Sequence, residues 1–493
     1  MSAASPTRLH DRPWLRVAWL GAAILGAAPL GAAPFGCNRH AEAPWRPPDV
    51  VMISVDTMRA DHLPTYGYPR PTAPNIDAWA HRSLVFDRAY SEAPHTLPSH
   101  ASLFTGLFPG RHGVLSRGDT LAPGIETIAT MLAARGYQTA AFVNCYFLGP
   151  DSRITRGFAH FDDDYGGTDL AAQRDAETTT AAALAWADEI GPQPYFLFVH
   201  YFDLHSDWEG LPYHSPEPWH SRFVREPPAS YRSGDGTSSA TAYMSYINQH
   251  RIRLGAEDLR YIADLYDASL AYTDAQVGAL LDGLERRGRL RDAIVMVMAD
   301  HGEEFQDHGA LIHGQLYDEV IRIPLLVSLP EMRGASGPSG RGLDAPAPGR
   351  SDALVQHVDV LPTLAECLGE PAPAAAQGQS FLGVFAGVPG PRTTAYFDTP
   401  LGYQRGLVRD GWKWLEDPPT GARQLYELAA DPHERRNLAK QQPERGDTLS
   451  AELARHRAEN AAARIASDRV EVSPEVHQAL EALGYVGEDG ASR

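Results

Sequence analysis

Two carboxylates and an imidazole, Asp56, Asp300 and His301, stand at the ends of apolar runs. Asp56 closes "VVMISV", and Asp300 and His301 close "AIVMVMA". A second imidazole, His205, follows the run "YFLFVHYF". Apolar runs without polar alternation read as strands buried on both faces. In a parallel sheet the strand ends of one polarity share one edge, so these residues can converge although they are far apart in sequence. Two carboxylates and an imidazole form a donor set for one divalent cation. Manganese or zinc fits it better than calcium, which prefers oxygen ligands throughout.

The positioning elements follow from periodicity. "TIATMLAARG" reads as a helix and "QTAAFV" as a strand. "DLAAQRDAETTTAAALAWADEIG" reads as a long helix. "LRYIADLYDASLAYTDAQVGALLDGLERRG" reads as another, stopped by Gly288. "IPLLVSL" adds a strand. Alternating strands and helices predict an α/β fold, a large and mostly parallel sheet sandwiched by helices. From about Thr393 short strands precede the helical "DTLSAELARHRAENAAARIA", which predicts a small C-terminal α+β subdomain. The expected boundaries are an N-terminal export or anchor segment over 1–37, a linker over 38–47, a catalytic domain over 48–392, and the C-terminal subdomain and helical tail over 393–493. "GLPYHSPEPWHSRFVREPPASYRSGDGTSSA" and "RGASGPSGRGLDAPAPGRSD" read as loops.

The stretch Thr96–Gly106 resembles the sulfatase signature, in which Cys or Ser, any residue, Pro, Ser and Arg open a helix ending in Leu-Thr-Gly. Pro98, Ser99, Ala101, Ser102, Leu103, Thr105 and Gly106 stand at matching positions. "ISVDTMRADHLPTYGYPRPTAPNIDAWA", "ADHGEEFQDHGALIHGQLYDEVIRIPLLV", "VQHVDVLPTLAECLG" and "GWKWLE...QLYELAADPHERRNLA" are similar to further segments of that family, in family order over roughly residues 48–440. The resemblance implies an alkaline-phosphatase-like fold, a metal-dependent ester hydrolase, and metal ligands at Asp56, Asp300, His301 and Thr96. It places His205 at the family's mid-chain active-site histidine.

Three departures shape the expected chemistry. Thr96 replaces the Cys or Ser that the family converts to formylglycine, so no formylglycine is expected and Thr96 would attack directly, forming an ester on the enzyme. His100 replaces the signature Arg and is counted among the catalytic candidates. His313 stands where a Lys follows "HG", thirteen residues after Asp300, a spacing similar to a substrate-phosphate histidine of phosphoethanolamine transferases. His313 and His205 are the candidates for binding substrate and protonating the leaving oxygen, with His308 as a weaker binding candidate. Thr57 occupies the place of a second metal-binding Asp. His200, inside its strand, reads as a core histidine, and Arg59 and Asp61 read as structural. These departures lean toward a phosphoester over a sulfate ester. A headgroup transferase and a non-catalytic binding protein on the same fold are the alternatives.

Composition bounds the partners. In 493 residues, 62 acidic against 43 basic side chains give a formal charge of −19. Such a surface repels a polyphosphate backbone, which excludes nucleic acid and leaves a small-molecule, glycan or lipid ester as the substrate class. Cys37, Cys145 and Cys367 are too few and too scattered for a disulfide framework or a zinc cluster. Arg8, Arg12 and Arg16 precede "VAWLGAAILGAAPLGAA", too short and Pro-broken for an ordinary span. It reads as a cleaved export signal, a lipoprotein leader ending at Cys37, or a retained membrane anchor. Each reading places the folded part outside the cytoplasm, in the periplasm or cell envelope.

Overall fold

Eight strands form the main sheet of the computed structural model, which describes residues 46–470 apart from 117, 165–173, 207–211, 232–239, 331–347, 401 and 467. The N-terminal segment read as a signal or anchor lies outside the described residues. In chain order the strands are β1 (Asp49–Val55), β2 (Leu84–Tyr90), β3 (Gln138–Phe142), β4 (His160–Asp162), β5 (Tyr195–Tyr201), β6 (Ala293–Ala299), a short ribbon of β7 (Glu304–Phe305) and β8 (Leu311–Ile312), β9 (Arg322–Ser328) and β10 (Gly349–Gln356). The ribbon is separate, and the sheet order is β10-β2-β9-β6-β1-β5-β3-β4.

Every residue of β1, β5 and β6 is buried, as expected for apolar runs in the middle of a sheet covered on both faces. Each Val, Ile, Leu, Met or Phe hidden there contributes about 1.5–3 kcal/mol. One strand departs from a wholly parallel sheet. The run "IPLLVSL" forms β9, which is antiparallel to both β6 and β2. No crossover helix separates β6 from β9 in the chain, only a ribbon and one helical turn (Asp318–Ile321), so β9 returns along its neighbour.

Helices flank the sheet in two groups. The 31-residue helix Ala256–Arg286 packs on Ala176–Glu189 and on Pro74–Ala80. Its first turn carries Glu257 and Asp258, and Gly288 at φ +68 follows its end. The helix expected from residue 169 begins at Ala176, because Asp175 caps it by accepting the Thr178 N–H at 2.8 Å. Thr96–Thr105 packs against Ile128–Ala133 and Val360–Cys367 in the other group. The stretch read as a loop over 210–240 contains the short helix Trp219–Phe223. The loop expected over 333–352 overlaps the start of β10.

The C-terminal part is a four-stranded antiparallel sheet, β11 (Thr394–Asp398), β12 (Arg405–Arg409), β13 (Trp412–Asp417) and β14 (Ala422–Glu427), followed by the helix Pro443–Ala462. Leu449 and Leu453 of that helix pack on Leu407, Trp414 and Leu425. On its other side the small sheet shares a core with the main body, where Ala395, Phe397 and Val408 meet Tyr90, Val320 and Ile321. No helix among the described residues is long and apolar enough to cross a membrane.

Candidate metal and nucleophile site

Register builds the site. Val55 at the end of β1 pairs with Tyr201 on one side and with Ala299 on the other. Asp56, Asp300 and the turn carrying His205 therefore leave the sheet side by side at the carboxyl edge, where open α/β sheets bind ligands. The Asp56 N–H still donates to the Tyr201 carbonyl at 2.9 Å, which holds the first carboxylate at the sheet rim. β2 ends at the same edge and feeds the helix Thr96–Thr105, with Thr96 its first residue and Pro98 in its first turn.

The side chains of Thr96, Asp56, Asp300 and His301 lie close together. Thr96 Oγ1 donates to Asp56 Oδ2 at 3.1 Å and stands 3.5 Å from His301 Nε2. His301 Nε2 lies 3.7 Å from Asp56 Oδ1 and 3.5 Å from Asp300 Oδ2. His301 Nδ1 faces the Gly302 carbonyl at 2.9 Å. A carbonyl only accepts, so Nδ1 carries the hydrogen and the Nε2 lone pair faces the same space as the two carboxylates and Thr96, as one more electron-pair donor. Burial pushes the His301 imidazolium down to about 3, so the ring is neutral. Asp300 Oδ1 accepts the N–H groups of His301 (2.8 Å) and Thr57 (3.3 Å), while Asp300 Oδ2, equally buried, takes no hydrogen bond.

His205 and His313 form a pair beside this group. Their Nε2 atoms are 3.1 Å apart, and the His313 ring lies 4.4 Å from that of His301. His313 Nδ1 donates to the Pro94 carbonyl at 2.9 Å, so in the neutral pair His205 supplies the shared hydrogen. His205 stacks on Phe202 at 4.2 Å. Burial, with repulsion from His313 on His205 and from His301 on His313, holds both rings well below the ordinary histidine range.

Other candidates take different places. His100 lies beneath Thr96. Its Nδ1 donates to the Thr96 carbonyl at 2.8 Å and its Nε2 meets Ser54 Oγ at 3.0 Å, so the ring positions the first helical turn and both nitrogens are occupied. His308 is not brought to the histidine pair; it stacks on Tyr317 and faces Glu319 at 3.4 Å. Thr57 is held at φ +53, and its hydroxyl donates to the Leu204 carbonyl at 2.8 Å. Arg59 grips Asp61 with two bonds of 2.8 and 2.9 Å and reaches Asp307 at 3.0 Å. Cys145 and Cys367 are buried free thiols.

Sequence reasoning passed over three contributors. His200, read as a core histidine, is fully buried, but its Nε2 lies 3.3 Å from Asp56 Oδ2. His95, adjacent to Thr96, makes an edge contact with His313 at 5.3 Å between ring centres. Ser99 donates to the Asp300 carbonyl at 2.8 Å and lies 3.2 Å from His357 Nδ1, tying the helix that begins at Thr96 to the strand that leads to Asp300. Proximity to Thr96 was a signal for His95. Nothing local distinguished His357.

A family model described as Sulfatase matches residues 48–370. The chain belongs to the sulfatase family. This sulfatase-family chain is similar to the choline-sulfatase of Rhizobium meliloti (strain 1021), at 25% identity, covering 80% of this chain and 82% of that one. It is similar to the Delta 4,5-hexuronate-2-O-sulfatase of Bacteroides thetaiotaomicron, at 24% identity over 86% of this chain and 89% of that one. Among solved structures it shares the fold of the phosphonate monoester hydrolase of Agrobacterium radiobacter, with TM-score 0.64 and 20% identity over 90% of this chain and 99% of that one.

Membership makes the chain a hydrolase acting on sulfate or phosphate esters in a metal-dependent family. The residues present fit a cation. Ligand atoms of Asp56, Asp300 and His301 all lie within 4.8 Å of one another. Two carboxylates buried to 0% and 1% exposure need a positive partner, and His301 is neutral. A second grouping, His100, His200 and Asp300, has the same spacing. There His100 Nδ1 carries a hydrogen toward Thr96 and has no lone pair to give.

Proposed function

We propose that this chain is an exported hydrolase that cleaves a phosphoester, in preference to a sulfate ester, through a covalent ester on Thr96. The reading is carried by Thr96 Oγ1, which meets Asp56 Oδ2 at 3.1 Å and stands 3.5 Å from His301 Nε2 at a helix N-terminus. Threonine is a secondary alcohol, and its oxidation gives a ketone in place of an aldehyde. The formylglycine route is therefore closed. A sulfo-threonine lacks the elimination open to a sulfated aldehyde hydrate, whereas a phospho-threonine is released by attack of water at phosphorus.

Asp56, Asp300 and His301 would hold one divalent cation, manganese or zinc before calcium. When bound, the cation offsets charge on the ester oxygens and lowers the proton affinity of the hydroxyl. Asp56 Oδ2 takes the Thr96 proton as Oγ1 bonds to phosphorus. The N-terminus of the helix Thr96–Thr105 favours the anion in front of it. An anionic substrate beside His205 and His313 favours a second proton on that pair, which then reaches the leaving oxygen as its bond to phosphorus breaks. Water attacks phosphorus next and gives one proton back to the His205–His313 pair, while Thr96 departs and recovers its proton from Asp56. His100 keeps the first helical turn in place throughout.

The Arg-flanked N-terminal run supports work in the periplasm or cell envelope. The substrate is a small-molecule, glycan or lipid ester. Purified protein supplied with manganese, zinc or calcium and assayed on paired aryl phosphates and sulfates tests the substrate class. Acid quench after radiolabelled aryl phosphate should leave label on the peptide containing Thr96. Clear preference for sulfates would reverse the substrate assignment, and label elsewhere would remove Thr96 from the reaction.

A further inference from the structure

Away from Thr96, a second set of donor atoms lies at the seam between the main body and the C-terminal sheet. His308 sits in the turn between β7 and β8, Glu319 in the helical turn Asp318–Ile321, and Glu434 in the segment after β14. Ligand atoms of the three lie within 4.8 Å of one another. His308 Nε2 faces Glu319 Oε1 at 3.4 Å, with both side chains only 9% exposed. Neither atom makes a hydrogen bond. A spacing near 3.4 Å is the edge of a tetrahedron with bonds of about 2.1 Å, the length of zinc–nitrogen and zinc–oxygen bonds. The His308 ring lies flat on Tyr317, 3.5 Å between centres and 7° between planes, which fixes its direction.

Charge at the seam is out of balance. Lys413 Nζ bonds Glu434 at 2.8 Å and Asp318 at 2.9 Å, so one positive charge serves two carboxylates. Arg59, which also faces Glu319, is engaged with Asp61 and Asp307, and Arg435, near His308, donates to the Asp307 carbonyl. Glu304 is wholly buried, neither of its oxygens takes a hydrogen bond, and Glu319 stands near enough to repel it. Buried carboxylates in this state are costly unless a cation answers them.

We propose that His308, Glu319 and Glu434 hold a second divalent cation, of the zinc type, which ties the C-terminal sheet to the main body. Lys413 then serves as the partner of Asp318 and as a second bond to Glu434. The Thr96 centre takes no part, so the two sites are separable. The full-length Asp56→Asn protein, stripped with a chelator and titrated with zinc alone, should bind about one zinc ion per chain and gain thermal stability on binding. Adding His308→Gln should abolish both the stoichiometry and the thermal response. Adding Glu319→Gln should do the same, and circular dichroism before titration checks that each variant is folded. An Asp56→Asn protein that binds no zinc would overturn the proposal. A bound ion that survives both seam substitutions would overturn it too, leaving Lys413 as the cation of the seam.

Discussion

The hydroxyl of Thr96 donates to Asp56 at 3.1 Å, although 40 positions of chain separate the two residues. One begins a helix and the other ends a strand, and the sheet edge brings them together. Thr96→Ala should therefore lower kcat by about a thousandfold or more, about 4 kcal/mol of barrier, while leaving metal content and Tm near the parent values. Turnover measured beside elemental analysis checks this. An alanine variant within tenfold of the parent would leave Thr96 without a chemical role.

His205 and His313 share one hydrogen across 3.1 Å, and groups that act as a unit are not additive. Each single alanine variant should lower kcat/KM by about a hundredfold to a thousandfold, and the double variant by no more than about tenfold beyond the worse single. Full additivity in a double-mutant cycle would show two independent roles.

Gly302 follows the metal-site histidine where the chain passes close under the helical turn Asp318–Ile321. A Cβ there would meet the Glu319 carbonyl oxygen at 2.0 Å, and the Gly302 N–H donates to Val320. Gly302→Ala must push His301 out of line. We expect a loss of about 3 kcal/mol in stability together with weaker metal retention during dialysis. Unchanged metal retention would show that His301 does not depend on this close approach.

Acid should unfold the protein from outside the site as well. His112 is buried with Nδ1 accepting the Val114 N–H at 3.0 Å, and burial pushes its imidazolium down to about 3. His456 lies flat on Tyr396, and burial beside Arg392 pushes it down to about 4. A depressed folded-state value means that the unfolded chain binds the proton first. The stability is present in full above about pH 6.5 and is lost as pH falls toward 4, up to about 3 kcal/mol for His456. Urea unfolding at a series of pH values should show this slope, and His456→Gln should flatten it. A variant with the parent slope would exclude His456 as a source.

The apolar runs ending at Asp56 and Asp300 disclosed both the buried strands and the carboxylates at their ends, because a strand covered on both faces has no room for polar alternation. The Thr96 motif disclosed a helix start. The reversed direction of β9 left no mark, since an apolar run reads alike in either direction. His100, His205, His308 and His313 were indistinguishable by type and local setting. Only the fold separated a ring spent on Ser54 and a backbone carbonyl, a pair sharing one hydrogen, and a ring carried off to Glu319 at the C-terminal seam.

Local sequence therefore determined the strands, the helix starts and the kinds of chemistry on offer, because burial pattern and capping act over a few neighbouring residues. Which imidazole faces which oxygen was decided by tertiary structure alone. Hydrogen bonds and coordination act over 2–4 Å, and only strand register and helix packing set distances that short between residues scores of positions apart.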